Sequence, residues 1–189
     1  MKYQKVSKQS ILEATAKVIA QKGLDKTSVD DIIKEADVAK GSIYFHFKNK
    51  DDLLISAIRF SAETRINQIK EALKNISSQK EKLIRLFKAN SLMLKQDRDS
   101  FLMTYALLLS SHNDLRTHVA TEYICNYISF VAEIINDGIK QGEFKSVDAK
   151  SIATSFVIAN DITGILHFAN GEIIEPEKMI NNLFKLILK

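Results

Sequence analysis

The sequence predicts an all-α protein, and three observations support this fold class. The chain of 189 residues contains 1 proline and 6 glycines, too few turn-forming residues for many short strands. Apolar residues recur every three or four positions over most of the chain, as they do on one face of an α-helix. Capping residues and glycines separate these periodic segments from one another.

Three short periodic segments open the chain. The first covers residues 7–21 and is followed by Gly23, which is suited to a left-handed helix end. The second runs to residue 36 and begins at Ser28, with Asp31 three positions later in a short form of the capping box. The third covers residues 39–45. Two short helices joined by a few residues are typical of a helix-turn-helix.

The remaining segments predict longer helices. Asn49 caps a helix that reaches about residue 75, with Asp51 and Asp52 at the positive end of its dipole. The cap leaves no flexible linker between this helix and the first three. Further helices are predicted at residues 79–95, 100–110, 114–141, 148–168 and 177–188.

The last two predicted helices are more apolar than surface helices of a monomer should be. The helix at residues 148–168 is apolar around most of its circumference, and the helix at residues 177–188 has a wide apolar face. Two such helices favour a dimer interface, although a buried central helix within one chain remains the alternative.

Charge is unevenly distributed along the chain. Residues 1–50 contain 10 Lys and Arg against 6 Asp and Glu, whereas residues 51–189 contain 17 of each. A basic unit attached to a neutral body is typical of a nucleic-acid-binding module that carries a second function, because Lys and Arg displace counterions from phosphates. We therefore predict two domains, at residues 1–50 and 51–189. A merely solvated basic surface explains the charge alone equally well.

The segment around the third helix carries residue types suited to a DNA groove. Gly41 allows close approach of the backbone, and Ser42, Tyr44 and His46 offer polar groups to bases or phosphates. Cationic side chains flank the helix on both sides, at positions Lys40, Lys48 and Lys50. Ile43 and Phe47 are four residues apart and should face inward. An aromatic core cluster followed by solvated lysines would explain these two residues but not an exposed Tyr44 and His46.

Residues 11–54 resemble the DNA-binding domain of TetR-family transcriptional regulators. The similarity rests on an ordered run of residues: Lys22-Gly23, Thr27-Ser28-Val29, Ile32, Ala36, Val38, the segment KGSIYFHF from Lys40 to Phe47, and the segment NKDDLL from Asn49 to Leu54. The resemblance implies base or phosphate contacts from Lys40, Gly41, Ser42, Tyr44 and His46, and flanking contacts from Thr27 or Ser28 and from Lys48 or Lys50. Phe45 stands where many members carry Tyr, so the resemblance does not carry a phosphate contact over to this position.

The resemblance also implies an all-helical homodimer that binds a near-palindromic operator. In the family, the C-terminal domains dimerise through their last two long helices, and an effector bound there changes the separation of the DNA-binding heads. The candidate effector-binding residues are polar or aromatic groups on otherwise apolar helices: Phe101, Tyr105, Tyr123, Tyr127, Asn160 and His167. Each is also compatible with a satisfied core residue. Cys125 lies on an apolar stripe, which favours inert packing over a redox role.

Catalysis has little support in the sequence. The phosphate-binding, nucleophile-elbow and zinc-protease motifs are absent, and none of the 4 histidines forms a metal-ligand pair one helical turn from another. We therefore expect no cofactor and no metal. The N-terminal segment has no continuous apolar core and no segment of about 20 uncharged residues follows, which predicts a cytoplasmic protein.

The predicted function is a ligand-responsive DNA-binding transcriptional regulator, most simply a repressor released from its operator by a small molecule. Two alternatives remain at the level of sequence. One is a dimeric DNA-binding protein without an effector, and the other is a helical enzyme whose basic N-terminal region is coincidental.

Overall fold

A computed structural model describes residues 7–96, 120–168 and 176–188. Throughout these ranges the regular structure is helical, and the one β-type pairing in them is an isolated antiparallel bridge between Phe144 and Leu188. The predicted all-α fold class is confirmed.

Eight α-helices are described, numbered here in chain order. They are α1 (Lys8–Lys22), α2 (Val29–Ala36), α3 (Lys40–His46), α4 (Lys50–Leu73), α5 (Gln79–Gln96), α6 (Cys125–Lys140), α7 (Ala149–Phe168) and α8 (Pro176–Ile187). A π-helical turn at Ala120–Ile124 leads directly into α6. No described helix is long and apolar enough to cross a lipid bilayer.

Most predicted helix bounds agree with the structure within two residues. The helix predicted at residues 100–110 lies outside the described residues. The helix predicted at residues 114–141 is described from residue 120, and its first turn there is π-helical. A π-turn inserts one extra residue into the helical repeat, and the spacing of apolar residues did not indicate it.

The chain divides into two compact units, and the first contains α1 to α3. This unit spans residues 1–66 and 97–123. Its apolar core is built by side chains from α1, α2, α3 and the first half of α4, among them Ile11, Ile19, Ile32, Ile43, Phe47, Leu53 and Leu54. The first half of α4 contributes Leu53, Leu54, Ala57 and Ile58 to this core.

Local capping defines the short helices of the first unit. Gly23 follows α1 with a φ of 79°, a conformation that favours glycine. The Ser28 hydroxyl accepts from the backbone N–H of Asp31, and the Asp31 carboxylate accepts from the backbone N–H of Ser28, which completes the predicted capping box. Asp37 ends α2 in the left-handed region, with a φ of 51°.

Ion pairs join α1 to α2. Lys22 on α1 binds the carboxylate of Asp31, and Lys17 lies 2.6 Å from Glu35. The hydrogen bonds from Lys22 and Ser28 lower the pKa of Asp31 to about 2. Part of the positive charge of the first unit is therefore paired with carboxylates of the same unit, although both lysine side chains remain about half exposed.

Residues 120–123 of the π-helical turn belong to the first unit, and Tyr123 packs on its core. Tyr123 lies against the apolar cluster, and Glu122 accepts a hydrogen bond of 3.0 Å from the Nε of Arg59 on α4. A second contact, of 2.9 Å, joins the Nη2 of Arg59 to the same carboxylate oxygen. The side chain of Tyr123 is thus part of the packing around α4.

The second unit comprises residues 67–96 and 124–189, and α5 packs there against α6, α7 and α8. Aromatic rings form the centre of its core. Phe156 on α7 lies edge-on to Phe87 on α5, at a ring-centroid distance of 5.0 Å, and to Phe184 on α8, at 5.8 Å. Edge-to-face pairs of this kind add stability beyond the apolar area that they bury.

A carboxylate from the loop after α6 caps the N-terminus of α5. Glu143 accepts hydrogen bonds from the backbone N–H groups of Gln79 and Lys80, both at 2.9 Å, and from the Ser78 hydroxyl at 2.8 Å. Burial raises the pKa of Glu143, but the bonds from Lys80, Gln79 and Ser78 outweigh it and leave the pKa below its ordinary value. The ionised carboxylate therefore links two segments more than 60 residues apart.

Candidate nucleic-acid interface

Two buried residues set the orientation of α3. Ile43 is 1% exposed and Phe47 is 2% exposed, and both belong to the core of the first unit. Their predicted inward orientation is confirmed. Because successive residues of a helix are rotated by about 100°, the residues on the opposite side of α3 point toward solvent.

Five of the nine predicted DNA-binding residues lie on α3, and three of them are on its outer face. Lys40 and Gly41 are exposed, and Tyr44 is half exposed. Ser42 and His46 are partly buried at the sides of this face. A Cβ atom on Gly41 would meet nothing within 4 Å, so the backbone there is open to an approaching surface.

Lys40 is only weakly held by the protein. Its Nζ lies 4.0 Å from the carboxylate of Asp30, and both side chains are largely exposed. An ion pair at this distance in solvent contributes little to stability. The ammonium group of Lys40 therefore remains available to a phosphate.

Lys48 and Lys50 flank the junction of α3 and α4. The Asn49 side chain accepts a 2.8 Å hydrogen bond from the backbone N–H of Asp52, as predicted for the cap of α4. In return, the Asp52 carboxylate accepts a 2.9 Å hydrogen bond from the backbone N–H of Lys48. This pair of bonds holds the backbone from which Lys48, whose side chain is exposed, extends into solvent.

The structure corrects the expectation for Thr27 as a side-chain contact. Thr27 is 1% exposed, and its hydroxyl donates a 2.8 Å hydrogen bond to the carbonyl of Gly23 at the end of α1. Ser28 is exposed, but its hydroxyl is part of the capping box of α2. Both hydroxyls therefore hold the connection between α1 and α2.

Sequence reasoning missed Phe45 as an exposed residue of α3. Its side chain is 83% exposed, the largest value among the exposed large apolar residues of the described ranges. The signal was present in the helical period, because Phe45 lies two positions from each of the buried residues Ile43 and Phe47 and so must face away from the core. The sequence analysis also did not single out Lys8, whose Nζ lies 5.3 Å from the centroid of the Phe47 ring.

Three of the six candidate effector-binding residues, Tyr123, Tyr127 and Asn160, have side chains that the structure describes. Phe101, Tyr105 and the side chain of His167 lie outside the described residues. Tyr123 belongs to the first unit and packs on its core, so its predicted place in an effector pocket of the C-terminal domain is not supported. Cys125 is exposed, and its predicted packing in an apolar stripe is wrong.

Two of the candidates, Tyr127 and Asn160, are buried in the second unit. Tyr127 is 6% exposed on α6, and Asn160 is 6% exposed on α7. The Nδ2 of Asn160 has no hydrogen-bond acceptor among the groups that the structure describes. A buried amide donor without a partner carries a desolvation penalty of about 1–3 kcal/mol, so it is a position where a bound molecule could supply an acceptor.

Family profiles match nearly the whole chain. Residues 11–57 match the N-terminal profile of bacterial regulatory proteins of the tetR family, and residues 61–188 match the profile of the C-terminal region of YsiA-like proteins.

Individual relatives agree with these matches. The chain is 32% identical over 145 residues to a fatty acid metabolism regulator protein of Bacillus subtilis, covering 77% of this chain and 74% of the relative. The crystal structure of the transcriptional regulator FadR from Bacillus subtilis in complex with stearoyl-CoA is similar with a TM-score of 0.79, at 29% identity over 95% of this chain and 97% of that one.

The similarity to a more distant structure concerns the fold. The fatty acid degradation regulator FadR from Bacillus halodurans has a TM-score of 0.79 at 23% identity, and the similarity covers 95% of this chain and 93% of that chain. The two-part match to the family profiles and the Bacillus subtilis relatives confirm the resemblance seen in the sequence. The chain belongs to the TetR family and is a DNA-binding transcriptional regulator, not an enzyme.

Proposed function

We propose that the protein is a repressor that binds a near-palindromic operator as a homodimer and leaves it when a long-chain acyl thioester binds the C-terminal region. Residues 1–50 form the DNA-binding domain in this proposal, and residues 51–189 bind the effector and dimerise. The observation that carries the proposal is the outward face of α3, where Lys40, Gly41 and Tyr44 are exposed while Ile43 and Phe47 anchor the helix.

The DNA contacts come from α3 and its flanks. Lys40 reaches a phosphate, the open backbone at Gly41 allows α3 to enter the major groove, and Tyr44 contacts a base or a phosphate. Ser42 and His46 contact DNA from the sides of the helix, while Lys48 and Lys50 bind the backbone beyond it. Ser28 must leave its capping box to contribute a contact, which makes it the weakest of the predicted contacts.

Dimerisation through the last two helices agrees with the apolar residues that they leave in solvent. Ile158 on α7 is 57% exposed and Leu186 on α8 is 64% exposed. Covering these side chains with a second copy removes apolar area from water and places two α3 helices at a fixed separation. Half-sites in successive major grooves require a separation of about 34–36 Å.

The effector class rests on the relatives. The Bacillus subtilis relative is named a fatty acid metabolism regulator protein, and the similar FadR structure contains stearoyl-CoA. A thioester carbonyl or an amide carbonyl of such a ligand would satisfy the unpartnered Nδ2 of Asn160. We therefore propose Asn160 as a polar contact of the effector, with the apolar core of the second unit receiving the acyl chain.

DNA binding is tested with duplexes selected from the organism's genomic fragments and from a random pool, beginning with the DNA beside the gene. Gly41→Glu should abolish specific binding because it adds both bulk and negative charge where the backbone is open, yet it should leave thermal unfolding nearly unchanged. Lys48→Ala should weaken all duplexes alike and lower the salt slope by about 0.9, the value of one lost phosphate contact.

Lys140→Ala, which removes an exposed cation from α6, is the matched control and should change neither the affinity for the duplexes nor the salt slope. Unchanged affinity of Gly41→Glu in a mobility-shift assay would exclude α3 as the recognition helix.

Effector binding is tested by calorimetry with stearoyl-CoA, with free coenzyme A as the control ligand. Stearoyl-CoA should bind and release the selected duplex, whereas coenzyme A should do neither. Asn160→Leu should raise thermal stability, because it removes a buried unpaired donor, while it weakens stearoyl-CoA binding by about tenfold or more. Absence of any heat or release with stearoyl-CoA would favour a dimeric regulator without this effector.

A further inference from the structure

The starting point is an apolar ring in an unexpected place. Phe45 is 83% exposed on a helix of seven residues, next to Tyr44, which is 50% exposed. The core of the first unit is completed by Ile43 and Phe47 and does not use the Phe45 side chain. The largely exposed Phe45 ring and its half-exposed neighbour Tyr44 thus form an aromatic patch on the outer face of α3 that is open to a contact outside the chain.

The position of Phe45 on α3 places it within the proposed DNA-binding face. Gly41 and Phe45 are four residues apart within α3 and therefore lie on the same side of the helix. Gly41 has no side chain, and a Cβ atom there would meet nothing within 4 Å. A surface that approaches the open backbone of Gly41 therefore also meets the Phe45 ring.

The ring is also restrained. Its neighbour His46 packs against it edge-on, with ring centroids 4.9 Å apart and planes at 82°. An aromatic side chain has two rotatable bonds, and a contact of this kind restricts them further, so little conformational freedom is lost when the ring is covered.

The chemistry of the major groove limits what a phenyl ring can recognise. Phenylalanine has no hydrogen-bonding group, so it cannot bind a phosphate oxygen as a tyrosine hydroxyl would. The edges of the bases present donors and acceptors, and the apolar exception is the C5-methyl group of thymine. A phenyl ring that enters the groove next to Gly41 thus has one favourable partner among the base edges.

We propose that Phe45 contacts the C5-methyl group of a thymine in each operator half-site and so specifies thymine at that position. This inference rests on the proposed DNA-binding function and adds a sequence preference to it. Uracil differs from thymine only by this methyl group. Replacing thymine by uracil therefore removes the proposed contact and keeps every hydrogen bond of the same base pair.

The test uses the duplex of highest affinity that the wild-type protein selects from a random pool. Each thymine is replaced in turn by deoxyuridine, symmetrically in both half-sites, and affinity is measured by fluorescence anisotropy at one salt concentration. For wild-type protein, one thymine per half-site should show a loss of about fifteenfold, because each of the two methyl groups removed from an apolar contact accounts for roughly fourfold. The other thymines should show little change.

Three variants identify the side chain responsible. Phe45→Ala should bind the thymine and uracil duplexes equally, whereas Phe45→Leu, which keeps an apolar group, should retain most of the preference. Lys48→Ala should bind both duplexes more weakly but keep the wild-type ratio between them, since a phosphate contact does not read the base. Because Phe45 is exposed, the two Phe45 variants should melt at the wild-type temperature.

The possible outcomes separate the two proposals. If wild-type protein selects a duplex but no thymine is sensitive to methyl removal, or if Phe45→Ala keeps the wild-type ratio, the thymine contact is overturned while DNA binding through α3 stands. Unchanged affinity of Phe45→Ala for the selected duplex would also overturn it and would point to a protein partner for the ring. Failure of wild-type protein to select any duplex would overturn the proposed operator binding itself.

Discussion

Replacement of Gly138 by Ala should destabilise the second unit, although alanine is the better helix former. Gly138 lies inside α6, and its carbonyl accepts hydrogen bonds from the backbone N–H groups of Glu143, at 2.8 Å, and Phe144, at 3.2 Å. These bonds fold the chain back so that the Phe144 ring covers the glycine. A Cβ atom on residue 138 would lie 2.2 Å from two carbons of that ring.

The size of the effect follows from this distance. Ordinary contacts begin near 3.4 Å, so the ring must move by more than 1 Å. Phe144 is 0% exposed, and movement of a fully packed ring costs about 1–3 kcal/mol. Complete loss of its packing would cost about 3–5 kcal/mol. After a gain of about 1 kcal/mol from helix propensity, the net loss in the free energy of unfolding should be about 0–2 kcal/mol if the ring only moves and about 2–4 kcal/mol if its packing is lost.

Urea unfolding at one protein concentration measures this loss. For an m-value of about 2 kcal/mol/M, the midpoint should fall by up to about 1 M if the ring only moves and by about 1–2 M if its packing is lost. Gly41→Ala is the matched control, because a Cβ atom there meets nothing, and it should raise stability by about 0.5–1 kcal/mol. In a Phe144→Ala background, Gly138→Ala should become neutral or stabilising. An equal cost in both backgrounds would refute the steric explanation.

Two further predictions concern carboxylates that cap helices. Because the pKa of Glu143 is lowered in the folded state, its stabilising contribution is complete above the unfolded pKa of about 4.5 and is lost as the pH falls through the lower folded value. Glu143→Gln should therefore reduce the free energy of unfolding by about 1–3 kcal/mol at pH 7. In urea titrations, the free energy of unfolding of this variant should also decline less steeply between pH 7 and pH 3 than that of the wild-type protein. Glu133→Gln, at an exposed position of α6, should have neither effect. Ser28→Ala should lower stability by about 1 kcal/mol through loss of the capping box. If it instead weakens DNA binding at unchanged stability, Ser28 acts mainly as a DNA contact.

The N-terminal unit was predictable because its signals are local. The capping box of Ser28 and Asp31, the cap at Asn49 and the spacing of Ile43 and Phe47 each involve residues three or four apart, within one helical turn. At that range the helix itself determines which side chains meet. The ordered motif from residue 11 to residue 54 then identified the family, and the profile match at residues 11–57 confirmed it.

The positions of two predicted site residues, Thr27 and Tyr123, differ from the expectation because they depend on longer-range features of the fold. Thr27 was expected to contact DNA, but its hydroxyl binds the carbonyl of Gly23, a bond that depends on how the chain leaves α1. Tyr123 was expected in an effector pocket, but it packs on the core of the first unit. In both cases the residue type was compatible with either role, and only the path of the chain distinguished them.

The sequence by itself determined the helical fold class, the caps of the short helices and the presence of a DNA-binding head, because each depends on residue types at fixed short spacing. Tertiary structure alone decided that Glu143 caps α5 across more than 60 residues, that Phe144 covers Gly138, and that Asn160 is buried with an amide nitrogen that has no acceptor among the described groups. These features arise where separate segments of the chain meet. The pattern along one helix indicates which face of that helix is apolar, but it does not indicate which residue of another helix lies against that face.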